Sequence, residues 1–190
     1  SNGTGAGSAW TAQLGDVETA VSGANLLVKV HFAVTDKDNN VYLLLGNGDI
    51  PSSVTDFSGD LTTGWGNLGI TSNSSSFNAS FVAWGYRDSS AVFNLGGAKT
   101  LAMSGSPAAI TGTDVKSSIV VANANSNADI WFKVPLSTLG LDSTHNHLKA
   151  VVLFGKDTAS GGLHSAIPAS IDTANYLDIP SVATATLSGL

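Results

Sequence analysis

Apolar and polar residues alternate with a period of two along most of this chain. Leu26, Val28, Val30, Phe32 and Val34 alternate with Leu27, Lys29, His31 and Ala33. That is the pattern of a strand with one face in a core and the other half-wet. A polar turn follows at Asp36-Lys37-Asp38-Asn39-Asn40, and residues 41–45 resume as a strand that ends at Gly46-Asn47-Gly48. The two runs read as a hairpin. Residues 77–86 put Phe77, Phe81 and Ala83 on one face and Val82, Trp84 and Tyr86 on the other. After a turn at 87–90, residues 91–95 return. Residues 99–103, 117–122 and 129–134 are shorter strands, 147–154 is the most apolar one, and 163–167 and 182–187 complete the set.

No window holds a sustained 3.6-residue apolar pattern. The single helical turn expected is Pro135-Leu136-Ser137-Thr138-Leu139-Gly140, opened by Pro and closed by Gly. About ten short strands with Gly-rich turns predict an all-β fold: a two-sheet antiparallel β-sandwich, jelly-roll-like, with minimal helix. Residues 58–76 read as a long irregular loop around Leu61, Trp65, Leu68 and Ile70, and loops of that length carry function or stay disordered. No repeat or linker divides the chain. The expected organisation is a tail and exchangeable strand at 1–21, then one sandwich domain at 22–190.

Composition narrows the class. In 190 residues there are 8 Lys+Arg and 14 Asp+Glu, and charged residues are 12% of the chain, about half the usual share. Eight scattered cations cannot form the basic stripe that nucleic acid requires, nor a patch for anionic lipid. No apolar run approaches the roughly 18 residues that span a bilayer. Cysteine is absent, which excludes disulfides, zinc–cysteine sites and thiol chemistry. Low charge and abundant Ser, Thr, Gly, Ala, Val and Asn suit an extracellular or cell-surface protein. The start at Ser1-Asn2-Gly3 reads as a processed chain or an excised piece. Asn2, Asn73 and Asn78 open glycosylation sequons.

Catalytic patterns are thin. There is no Gly-x-Ser-x-Gly elbow, no His-Glu-x-x-His and no phosphate loop. The acids fall mostly in turns, at Asp36, Asp38, Asp49, Asp88 and Asp157. His145 and His147 share a face of an extended segment, with His164 as the nearest third ligand for zinc; surface or loop histidines are the expected reading. Asp36, Asp38 and Asn40 offer oxygens at alternate positions, as calcium loops do. The twelve-residue template fails, because Val41 stands at the sixth position, and a hairpin turn explains the segment. No other cofactor is expected.

Four tryptophans invite roles. Trp131, inside Ile130-Trp131-Phe132, is expected in the core. Trp84 and Tyr86 are either core or a sugar-stacking platform, and Trp65 either plugs the sandwich or contacts a ligand. Trp10 reads as an anchor, since indoles concentrate at interface hot spots.

Two segments resemble DOMON-like and family-9-like carbohydrate-binding β-sandwiches. One is Val34-Thr35-Asp36-Lys37-Asp38-Asn39-Asn40-Val41-Tyr42-Leu43-Leu44-Leu45. The other is Asp129-Ile130-Trp131-Phe132-Lys133-Val134-Pro135-Leu136-Ser137-Thr138-Leu139-Gly140, a strand ending in a Pro-Leu-x-x-Leu-Gly turn before another apolar strand. The resemblance implies an extracellular two-sheet sandwich, sometimes sugar-binding, and carries no catalytic or ligand residue.

Two functions follow as expectations. The first is a non-catalytic structural subunit of a surface assembly or filament. A chain-terminal strand would add to a neighbour's sheet edge, with Trp10, Leu14, Val17 and Val21 as the inserted row. The second is a carbohydrate-binding module that stacks sugars on Trp65, Trp84 and Tyr86. The expected partners are further copies of the chain or a polysaccharide, without nucleic acid or membrane insertion.

Overall fold

The computed structural model describes residues 3–4, 13–33, 39–48, 59–63, 66–70, 79–87, 92–104, 109–123, 129–142, 144–156, 163–167 and 176–178. The strands in chain order are β1 (Gly3–Thr4), β2 (Gln13–Ser22), β3 (Asn25–Ala33), β4 (Asn39–Gly48), β5 (Gly59–Thr63), β6 (Gly66–Ile70), β7 (Ala79–Arg87), β8 (Phe93–Ser104), β9 (Ala109–Asp114), β10 (Val120–Asn123), β11 (Asp129–Pro135), β12 (His147–Lys156), β13 (Leu163–Ile167) and β14 (Tyr176–Asp178). One helical turn, α1 (Leu136–Leu139), and a 3₁₀ turn at Lys116–Ser118 are the only helices among the described residues.

The fold is an all-β sandwich. An eight-stranded sheet has the order β1-β13-β12-β4-β7-β8-β9, with β14 beside β12, and a four-stranded sheet has the order β10-β11-β3-β2. Every pairing is antiparallel. The two sheets face each other through one apolar core. Leu26, Val28, Val30, Ile130, Phe132 and Val134 come from the smaller sheet; Val41, Leu43, Leu45, Phe81, Ala83, Phe93, Leu148 and Val152 come from the larger. Phe93 and Phe132 meet edge-to-face across the layers, with ring centroids 5.7 Å apart, a geometry that aligns positive ring edge with negative face. The other face of the long sheet is buried too, at Tyr42, Leu44, Val82, Trp84, Val151 and Leu153. Both-face burial is why residues 41–45 and 151–153 read as unbroken apolar runs.

Local chemistry sets the turns. Gly23, at φ 57, takes the left-handed corner between β2 and β3, where only two residues separate the paired Ser22 and Asn25. The expected helical turn is present. The Leu141 N–H donates to the Leu136 carbonyl at 3.0 Å and the Gly140 N–H to Ser137 at 3.3 Å. This double closure needs the left-handed Gly140, at φ 68. Leu136, Leu139 and Leu141 cap one end of the core.

Several expectations are corrected. The runs at 26–34 and 41–45 are not a hairpin, because β3 pairs with β2 and β11 while β4 pairs with β12 and β7. Alternation reports which face is buried, not which strand lies alongside. Within residues 58–76, β5 and β6 pair as a small antiparallel sheet, so this stretch is not wholly irregular. The two runs at 91–95 and 99–103 are one strand, β8, whose register slips between Trp84 and Gly85 of its partner. Residues 116–118 form a 3₁₀ turn rather than the start of a strand. The strand expected at 182–187 lies outside the described residues.

Candidate functional site

Three places can do chemical work. The first is the edge of the long sheet. There β13 pairs on one side with β12 and on the other with β1, through Gly3↔Ala166 and Thr4↔Ser165 among the described residues. Among the described residues, a segment ahead of the sandwich thus lies along two of the five β13 residues. Such an edge presents backbone donors and acceptors that any extended chain can satisfy.

The anticipated inserted row is split. Trp10 lies outside the described residues. Leu14 is in β2, opposite Phe32. Val21 is 4% exposed and sits in the chain's own core, with Val17 packed against it. The register slip between Leu14 and Val17 marks a bulge at Gly15-Asp16, a device that discourages further pairing along an edge. Val17 and Val21 therefore complete their own sheet, held there by the two-residue turn at Gly23.

The second place is the outer face of the four-stranded sheet. Cross-strand pairing places Ala122, Trp131, Lys29 and Glu18 in one row and Val120, Lys133, Leu27 and Ala20 in the next. Trp131 is 37% exposed and Val120 56%. Trp131 is therefore not in the core: Ile130 and Phe132 point inward, so the residue between them must point outward. Lys29 Nζ lies 5.8 Å from the indole centroid and 3.4 Å from Glu18 Oε1. The lysine stem covers apolar surface while its head stays wet.

The other sugar-stacking candidates fare differently. Trp84 is 5% exposed, because its indole lies flat on Gly96 and Gly97. A Cβ at Gly96 would come within 2.9 Å of Trp84 Cδ1 and Nε1, and one at Gly97 within 2.6 Å of Cη2. Trp84 is interior and cannot stack on a ligand from solvent. Tyr86 belongs to β7 and pairs with Asn40 and Asn94; its side chain, like Trp65, lies outside the described residues. Asn2, Asn73, Asn78, Asp36 and Asp38 do too, and Asn40 is placed only as a position in β4.

The third place is the turn between α1 and β12. Asp142 Oδ1 accepts from the Thr144 hydroxyl, the Thr144 N–H and the His145 N–H, each at 2.8 Å, and lies 3.0 Å from His145 Nδ1. The Thr144 hydroxyl first, then the two amides and the imidazole, hold this carboxyl well below the ordinary value of 3.8. His145 is thereby tied to a turn. His147 is in β12 and His164 in β13. Among the described residues no three His, Asp or Glu gather as a metal site.

Sequence reasoning placed Trp131 on the wrong side of its strand and did not single out Lys29 or Glu18. The signal was available: Leu26, Val28 and Val30 fix one face as core, which sets the opposite face, with Lys29, outward.

No helix of the described chain is long and apolar enough to cross a membrane. No protein-family model and no curated protein matches the chain.

Proposed function

We propose that the chain is a non-catalytic structural subunit of an extracellular, cell-surface assembly or filament, and that its copies join by strand addition. Residues 1–12 of one copy supply the strand, and β13 of the next supplies the edge. The observation that carries this reading is the short β1–β13 pairing, in which the segment ahead of the sandwich already lies on that edge through Gly3 and Thr4. Residues 5–12, fully extended, reach about 26 Å, enough to bridge to an adjacent copy. Trp10 would anchor the added strand by filling a pocket. Donor and acceptor surfaces differ, so the contact is head-to-tail, and it repeats into a filament wherever its rotation does not close a ring. Low charge leaves little repulsion to oppose this.

Size-exclusion chromatography and negative-stain microscopy of the full chain and of a form lacking residues 1–12 test it. The full chain should form elongated assemblies and the shortened one should remain monomeric. A synthetic peptide of residues 1–12 should bind the shortened form, and its Trp10→Ala version about tenfold more weakly. A full chain that stays monomeric, or assemblies that survive the deletion, would overturn the reading.

A second reading, a carbohydrate-binding module, is favoured by one observation: an indole, Trp131, stands partly exposed on the outer face of a sheet.

A further inference from the structure

We infer that the outer face of the four-stranded sheet binds a neutral polysaccharide, with a pyranose ring stacked on Trp131. This rests on the carbohydrate-binding reading and is independent of strand addition. The indole stands on β11, the second strand in the sheet order, and exposes more than a third of its surface. Its neighbour in the row toward the sheet edge is Ala122, whose methyl is too short to cover an indole. The neighbour on the other side is Lys29, whose ammonium at 5.8 Å is near the outer limit of about 6 Å for contact with the ring. It therefore sits over one side of the ring, and the side toward Ala122 is the one offered to a ligand.

The polar groups around the indole decide among occupants. Lys29 offers donors and Glu18 offers acceptors 3.4 Å away in the same row, while Lys133 lies two residues along β11 on the same exposed face. A protein surface sealed over this face would strip water from three charges, which is costly unless each finds a partner. A polyanion would meet Glu18, and a cation would meet two lysines. A sugar avoids these conflicts. Its axial C–H groups give an apolar face for the indole, and its hydroxyls both donate and accept, matching Lys29 and Glu18. Convergence of an apolar platform with a few placed polar groups is the usual form of such sites.

Affinity electrophoresis of the full chain through gels containing soluble glucan, xylan, mannan or galactan tests the inference. At least one should retard the protein. Trp131→Ala should weaken that retardation at least about tenfold, as truncation of a binding hot spot does. Trp131→Tyr should retain most of it, since a ring is kept, and Trp84→Phe should leave it unchanged. Circular dichroism of each variant reports folding, and the exposure of Trp131 makes its replacement tolerable. Retardation by none of the four, or equal retardation of Trp131→Ala and the parent, overturns the inference. Microscopy of Trp131→Ala separates the two proposals: assemblies that persist while sugar binding is lost leave strand addition standing, and the form lacking residues 1–12 should still bind sugar.

Discussion

Adjacent residues in β11 have opposite fates. Phe132 is fully buried and Trp131 is 37% exposed. Phe132→Ala should cost about 3–5 kcal/mol by the cavity it leaves, whereas Trp131→Ala, which loses only the covered part of an exposed ring, should cost about 1–2 kcal/mol; urea denaturation of both variants measures the contrast. At Gly97 the constraint is space, because any side chain meets the Trp84 indole. Gly97→Ala should lose about 1–3 kcal/mol through overpacking, and Trp84→Leu in that background should recover part of it. At Asp142 the constraint is charge. Its folded-state pKa is lowered, so the ionised turn contributes stability that is fully present above 3.8 and is lost as acid protonates it below that value. Acid titration of the unfolding midpoint should therefore show a smaller loss in Asp142→Ala than in the parent, with the shift confined to that acid range.

Each element combines legible and illegible parts. The run at 26–34 and the apolar run at 147–154 were readable because the side-chain period fixes a face, and β3 and β12 lie where those runs predicted. The turn at α1 was readable because Pro135 and Gly140 act through their own backbones, without help from distant residues. What could not be read is partnership. β3 and β4 are consecutive strands of opposite sheets, and no local signal distinguishes a hairpin from such a crossing. Trp131 was misplaced for a related reason: in a short run of three apolar residues both phases of the alternation look buried. The candidate edge at β13 was equally hidden, since its partner β1 is two residues long and carries no apolar pattern at all. The Gly140 turn can be tested directly. Gly140→Ala should lose about 1–2 kcal/mol, the cost of a side chain in left-handed backbone, read as a fall in thermal midpoint.

For the whole molecule, the interior is divided unevenly. One core joins the sheets, and a second buried face backs the long sheet. Of residues 1–12, the described sheets contain only the two-residue β1, and strand addition requires the form lacking residues 1–12 to fold; thermal unfolding of that form beside the full chain checks it. Main-chain pairing is also little affected by screening. Filaments formed by strand addition, as proposed above, should accordingly persist between about 0.1 M and about 1 M salt, where the Debye length shrinks from about 10 Å to about 3 Å; light scattering across that range checks it.

The tight corner at Gly23 has a mechanical consequence. β2 runs antiparallel to β3 for ten residues, entering at Gln13 and turning at the far end. A pull on the chain ahead of Gln13, directed along the strand, loads the β2–β3 ladder lengthwise, so its bonds share the force instead of parting one after another. A fibre strung together through that segment would carry tension in shear, the direction in which a sheet yields last.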